Sequence, residues 1–499
     1  MSYKLDLSDL KRDSDTSINA QLVGLIRSAI EAGELEPGEK LPTTRAVAEQ
    51  AGLNHLTVVR AYRRLAQDGY VTATRGRGTF VRQAPPAPLA GSNERWQHAV
   101  LPEARRSYVN QIVADTWQPP AGEDHVNLAT GWASPKLHPV RELARLSAEV
   151  FAQDGATALM YGDPDGVWGL REEVARRGVD SGFATGPEEI VITTGGRQAI
   201  DLVCRTILRP GDVAVTESPT YMGVLASIQD SGARVLGVRY DQDGLDVDAL
   251  EAILARHEVK LVSVQTGSQN PTGLDLSPER AERLLELARE RSFFILEDGV
   301  YCTVRFGTPE PPRLRLRAPD HVIYVDSLSK TVGGGLRLGW VAASGELRRR
   351  LTDLKLATDY HTPVLTQCLA QRWLASGAHE RHLRKISAIY AGRCEAMLDS
   401  LARRLGDEAI ATRPKGGHHV WVTFHRELDE RLLIAEGLRH GVSFTPGGAT
   451  TVQGDGLMGL RLSFSLLDED QIDEGVRRLA AAVRAVRRSS GARVAPAMS

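Results

Sequence analysis

Four cysteines in 499 residues, Cys204, Cys302, Cys368 and Cys394, stand far apart with no Cys-x-x-Cys pair among them. Their scarcity excludes a disulfide framework and a cysteine zinc site, and four buried thiols are the plain reading; no metal is expected. No apolar run approaches the roughly 18–20 residues that span a bilayer, and Met1 to Leu10 has no charged segment leading into an apolar one. A cytoplasmic protein with no membrane partner is therefore expected. Net charge is nearly absent too: 61 basic against 63 acidic side chains leave −2, so the chain as a whole has no electrostatic pull on nucleic acid. Any such pull has to be local. Internal repeats and long low-complexity tracts are also missing. What the chain does have is length, with 42% hydrophobic and 25% charged residues, enough for two or three ordinary globular domains.

Charge is distributed unevenly at the start. Ile18, Leu22, Leu25, Ile26 and Ile30 recur at helical spacing, and a turn rich in Gly and Pro follows from Gly33 to Leu41. In LPTTRAVAEQAG, Thr43 is placed to cap a second helix and Gly52 to stop it. Asn54 can cap a third, whose apolar positions Val58, Ala61, Tyr62 and Leu65 share one face and leave Thr57, Arg60 and Arg64 on the other. The alternation in YVTATRGRGTFV then predicts a two-stranded wing. Between Asn54 and Arg82 there are six Arg and one acidic residue, Asp68, so a phosphate backbone is the natural partner of this stretch.

The run from LEPGEKLPTTRAVAEQAG to TRGRGTFV resembles the winged helix-turn-helix of the GntR family of bacterial regulators, in order, spacing and glycine placement. The resemblance implies that Arg45, Asn54, His55, Thr57 and Arg60, with Arg75 and Arg77 in the wing, face DNA. Arg and Asn are suited to base edges, Thr and the wing arginines to phosphates. The expected boundaries are 1–82 for this head and 83–124 for a Pro- and Ala-rich linker.

From His125 onward, short β-branched runs alternate with helical patterns. Ile190–Ile192, Val213–Val215, Leu261–Val264, Phe293–Leu296 and Val322–Val325 read as buried strands of a mixed, mostly parallel sheet. Open α/β sheets bind ligands beyond the carboxyl ends of their strands, and here each strand ends in polar groups. After Ile192 comes TTGGRQ, two glycines opening a helix, suited to an anion. After Val215 comes TESPTY with Tyr221, and after Val264 comes QTGSQNPTG with Asn270. After Leu296 comes EDGVY with Asp298 and Tyr301, where a buried acid needs a partner. After Val325 comes DSLSKTVGGGLRLGW, in which Lys330 stands at the end of an apolar strand, where desolvation frees its amine for an imine.

In this order the set resembles the fold-type I aminotransferases, which bind pyridoxal 5′-phosphate (PLP). The resemblance implies that Lys330 holds PLP as a Schiff base, Asp298 pairs with the pyridinium nitrogen, Asn270 and Tyr301 meet the ring's phenolate oxygen, and Tyr221 stacks on the ring. Gly196, Arg197, Ser327 and Arg337 would hold the phosphate, and Tyr161, in MYGDPDG, would reach the phosphate site of a neighbouring subunit, which implies a dimer. Arg461, in MGLRLSFS, matches the family's clamp for a substrate carboxylate. Expected boundaries are 125–345 for a large domain, 346–488 for a small α/β domain and 489–499 for a disordered tail. A GntR head on an aminotransferase-like body is the layout of the MocR regulators, although EDGVY replaces the EDDYD of many of them. That resemblance implies a regulator that binds promoter DNA as a head-to-tail homodimer and senses an amino compound, or PLP itself. A working aminotransferase with a DNA-binding appendage is the alternative.

Overall fold

The computed structural model describes residues 18–31, 34–36, 38–67, 70–74, 78–81, 124–184, 186–311, 313–452 and 459–492. The chain divides into two compact units, Met1–Arg105 and Arg106–Ser499, each with its own apolar core.

In the first unit, α1 (Ile18–Glu31), α2 (Thr44–Ala51) and α3 (His55–Gln67) precede β1 (Val71–Thr74) and β2 (Gly78–Val81). Leu22, Ile26, Val47, Val58, Ala61 and Leu65 close its core. The caps lie where the side-chain chemistry places them. Thr43 Oγ1 accepts from Ala46 N at 3.2 Å, Gly52 ends α2 at φ 60°, and Asn54 Oδ1 accepts from Leu56 N at 2.9 Å. β1 and β2 pair antiparallel from Val71↔Val81 to Thr74↔Gly78, and Lys40 bridges Phe80 on the outer edge.

The second unit begins with β3 (Val126–Asn127), α4 (Val140–Ala158), α5 (Trp168–Ser181), β4 (Ile190–Thr193), α6 (Gly196–Ile207), β5 (Val213–Ser218) and α7 (Met222–Asp230). Next come β6 (Arg234–Asp241), β7 (Gly244–Leu245), α8 (Val247–Leu254), β8 (Val259–Val264), α9 (Pro278–Arg291), β9 (Phe294–Asp298), β10 (Val322–Ser327) and β11 (Gly339–Ala342). It ends with α10 (Gly345–Asp359), α11 (Val364–Ala375), α12 (Ala378–Leu405), β12 (Ala409–Ala411), β13 (His419–Phe424), α13 (Glu430–Arg439), β14 (Val442–Ser443), β15 (Thr445–Pro446), β16 (Gly459–Ser463) and α14 (Glu469–Ala492).

The large sheet runs β4-β11-β10-β9-β8-β5-β6-β7. Neighbours from β10 to β6 are parallel, whereas β11 is antiparallel to both β10 and β4, and β7 to β6. β4 and β10 are buried along their whole length, which is why they read as unbroken β-branched runs. A second, antiparallel sheet, β12-β13-β16-β15, shares a core with Ile386, Tyr390, Met397 and Leu401 of α12 and with Ile472, Val476 and Val483 of α14.

Three expected boundaries move. Trp373 and Leu374 of α11 join the core of Ile190, Ile192 and Trp340, and Leu351 of α10 joins Val341 and Ala343, so 345–375 packs with the large sheet rather than the small one. β3 pairs in parallel with β14, which places the start of the body beside the small sheet. α14 continues to Ala492, past the boundary set at Arg488. The linker expected at 83–124 lies outside the described residues except for Asp124, whose carboxylate meets Arg478.

Candidate functional site

The carboxyl ends of β4, β5, β8, β9 and β10 border one cavity of about 480 Å³. Gly196, Arg197, Tyr221, Asn270, Asp298, Tyr301, Ser327, Lys330 and Arg337 all line it. Nine residues from five separate stretches of the chain thus share one cavity because these strands are parallel and end on the same side.

Lys330 follows β10 directly, in the turn Ser329–Gly333. Its Nζ donates to Gly131 O at 2.9 Å and stands 5.6 Å from the centre of the Tyr301 ring. Burial, helped by the Arg461 charge and opposed by Asp298, lowers its pKa to about 8, so a useful fraction of the amine is neutral near neutral pH. Asp298 receives Gln265 Nε2 on Oδ2 at 2.8 Å and Val300 N on Oδ1 at 3.2 Å. Burial raises its pKa to about 6 against the pull of those two donors and of Lys330. Among the described residues no cation comes within ion-pair distance of it, so a buried carboxylate faces the cavity with a place for one.

Gln265 was not singled out from the sequence. It is the first residue after β8, and its Oε1 accepts from Asn270 N at 2.7 Å while its Nε2 holds Asp298, so it links two of the site's polar groups. Asn270 Oδ1 accepts from Arg461 Nη1 at 3.0 Å, which leaves the amide nitrogen as the donor that an anionic oxygen in the cavity would need. Tyr301 Oη lies 2.9 Å from His419 Nε2. The Tyr221 ring lies over Gly223, where a Cβ would stand 2.3 Å from Cε1, so the ring's seat requires glycine.

At the N-terminus of α6 the first backbone N–H groups have no partner within the helix. Gly195 precedes them at φ 90°, and a Cβ there would meet Arg337 Nη2 at 2.7 Å. The Arg337 guanidinium is exposed and donates to Thr194 O at 3.0 Å, and Ser327 Oγ accepts from Ser329 N at 3.3 Å. Arg197 departs from expectation, since its guanidinium turns to Gly223 O and Ser227 Oγ on α7 and leaves only its backbone to the anion site.

Two expected site residues do not line the cavity. Arg461 is buried on β16, donating to Asn270 Oδ1, to Thr445 Oγ1 at 2.9 Å and to Ala129 O. Tyr161 is 87% exposed, its ring against Tyr360 and His361 at 6.1 and 5.8 Å.

On the first unit, Arg45, Asn54, His55 and Arg60 are exposed, and Thr57 is half-buried with its carbonyl accepting from Asn19 Nδ2. Arg63, Arg64 and Leu56 are exposed on α3 as well; Leu56, 63% exposed, offers an apolar contact of the kind that suits a thymine methyl. Arg75 and Arg77 lie outside the described residues.

Residues 123–479 match the family described as "Aminotransferase class I and II". The chain belongs to that family. Residues 18–81 match "Bacterial regulatory proteins, gntR family", and the two in this order make the MocR architecture. The chain is 36% identical to the 2-aminoadipate transaminase of Thermus thermophilus over 364 residues, which are 72% of this chain and 90% of that one. It is also 30% identical to the HTH-type transcriptional regulator YisV of Bacillus subtilis over 477 residues, 95% of this chain and 97% of that one. Among solved structures, the kynurenine aminotransferase of Pyrococcus horikoshii, in complex with PMP, superposes with a TM-score of 0.74 at 30% identity, covering 79% of this chain and 98% of that one. LysN of Thermus thermophilus, complexed with N-(5'-phosphopyridoxyl)-L-leucine, gives 0.72 at 33% identity, covering 79% and 99%.

The cavity of this class I and II aminotransferase chain fits PLP on its own chemistry. A buried acid without a cation, a lysine inclined to be neutral, and a helix N-terminus opened by Gly195 answer the three parts of the group: ring nitrogen, aldehyde and phosphate.

Proposed function

We propose that the protein is a PLP-dependent transcriptional regulator that binds promoter DNA through its head and an amino compound through its body. The observation that carries this is the joining of a GntR head, with its basic α3 exposed, to a body that keeps Lys330, Asp298 and Tyr301 around one cavity. Lys330 would bind the cofactor, Asp298 its ring nitrogen, Asn270 and Tyr301 its phenolic oxygen, Tyr221 its face, and Gly196, Ser327, Arg337 and the Arg197 backbone its phosphate. When bound, PLP supplies an aldehyde that condenses with amines and a ring that withdraws electrons. Arg461, which donates to Asn270 Oδ1, carries the charge that would receive a ligand carboxylate. Arg45, Asn54, His55, Thr57 and Arg60 would meet DNA, with Arg75 and Arg77.

A homodimer, head-to-tail, fits the same reading. Phe151, Leu159, Met160, Tyr161 and Tyr360 are large apolar or aromatic side chains, more than half exposed, on the body, and such groups seek cover. A second copy would cover them and bring Tyr161 to the neighbouring phosphate site; sedimentation of the loaded protein as a single chain would contradict this. No described helix is long and apolar enough to cross a membrane, and the place of action would be the cytoplasm, beside the DNA.

The retained lysine, acid and tyrosine equally favour a second reading, a working aminotransferase. Adding candidate amino acids to the loaded protein separates the two. A regulator changes its visible spectrum without accumulating keto acid. With a second keto acid supplied to take up the amino group, an enzyme releases product keto acid in many-fold excess over protein, and Lys330→Ala removes the response in either case.

A further inference from the structure

His418 and His419 stand side by side in PKGGHHVWVTF, are almost fully buried, and flank Tyr301 with ring centres at 5.3 and 5.4 Å. Each has one ring nitrogen with a partner and one buried without: His418 Nε2 and His419 Nδ1 meet no hydrogen-bonding atom. Burial holds both neutral, His418 at about 3 and His419 well below its ordinary range, with Arg461 and Lys330 opposing a further positive charge on His419. A neutral imidazole carries one N–H and one lone pair. Leaving a buried N–H unpaired costs more than leaving a lone pair unpaired, so the hydrogen belongs on the partnered nitrogen. His418 shows the rule directly, since its Nδ1 faces the carbonyl oxygen of Gly131 at 3.4 Å, which can only accept. Applied to His419, the rule puts the hydrogen on Nε2, which lies 2.9 Å from Tyr301 Oη.

We propose that His419 is a positioning residue for Tyr301, donating its Nε2 hydrogen to the phenolic oxygen and so freeing the phenol's single hydrogen to point into the cofactor cavity. The seat is built for this ring: a Cβ on Gly131 would stand 2.3 Å from His419 Cε1, so only glycine at 131 admits it. A hydroxyl that accepts one hydrogen bond becomes a stronger donor in the next, because the two polarise each other. Tyr301 lines the cavity and is the donor meant for the cofactor's phenolic oxygen. The charged and titratable groups that act on Tyr301 are Arg461, Tyr221, Asp298 and Tyr390, those that act on His419 are Arg461, His418 and Lys330, and all remain unchanged in the test below.

The inference rests on the cofactor reading and is tested by the pH midpoint at which the visible band of PLP-loaded protein changes. A strong donor at the phenolic oxygen holds that oxygen as the anion and loosens the proton on the neighbouring nitrogen, which lowers the midpoint. His419→Leu is therefore expected to raise it by roughly half a unit. His419→Gln, whose amide nitrogen can stand where Nε2 stands, is expected to restore the native value, and His419→Leu is expected to have no further effect in a Tyr301→Phe background. A fall in the midpoint on His419→Leu would mean that Tyr301 donates to His419 in the native chain, and would overturn the proposal. An unchanged midpoint, or an equal shift without the Tyr301 hydroxyl, would overturn it too. Absence of any visible band would sink the cofactor reading and this inference with it, whereas a band that fails to move sinks the inference alone.

Discussion

Among the described residues no carboxylate comes within ion-pair distance of Lys330; it donates to a peptide oxygen, and burial, only partly opposed by Asp298, makes the ammonium the costly form. Only the neutral amine has a lone pair to offer an aldehyde. Capture of PLP by cofactor-free protein is therefore expected to be slow below pH 7, to rise through a midpoint near 8 and to level off above it. An ordinary lysine would instead rise toward about 10.4. Stopped-flow absorbance at a series of pH values checks this, and a midpoint above 10 would remove the argument from desolvation. Asp298 titrates lower, at about 6, so it is already anionic across that rise and does not set its midpoint.

The elements that place these residues were legible to different degrees. α2 and α3 could be read almost to the residue, because Thr43, Gly52 and Asn54 are chemically committed to caps. Arg60 on α3 is exposed and unlike the core positions it alternates with. Arg60→Ala is expected to weaken binding to the DNA upstream of the gene about tenfold if it meets a base edge, or to lessen the salt dependence by about one counterion if it meets a phosphate. Fluorescence anisotropy across a salt series distinguishes these, and no change in either would remove α3 from the interface. The strands β4, β5, β8, β9 and β10 were legible because burial on both faces demands unbroken apolar runs. By contrast β6 is half-exposed, and β11, though buried as fully as β4, reads Gly-Trp-Val-Ala with a single β-branched residue where β4 has four. Helix α10 hid its allegiance to the large sheet because only Leu351 and Lys355 of its fifteen residues are buried. Gln265 and His419 act through partners 33 and 118 residues away, and no local spacing announces such pairs.

Taken whole, the molecule joins two units that each have a chemistry of their own, a basic helix face and a cavity for an electrophilic cofactor. A ligand can switch the DNA-binding state only by binding its alternatives with different affinity, and a tenfold change in DNA affinity needs about 1.4 kcal/mol of such preference. The most direct measurement is the affinity of the PLP-loaded, full-length protein for the DNA upstream of its gene, taken at fixed salt with and without a panel of amino acids, in the native chain and in Lys330→Ala. We predict that at least one amino acid changes the native affinity severalfold or more and leaves that of Lys330→Ala unaltered. Equal DNA affinity with and without every amino acid, together with steady release of keto acid once an acceptor keto acid is supplied, would contradict the account and make the body an enzyme on a DNA-binding mount.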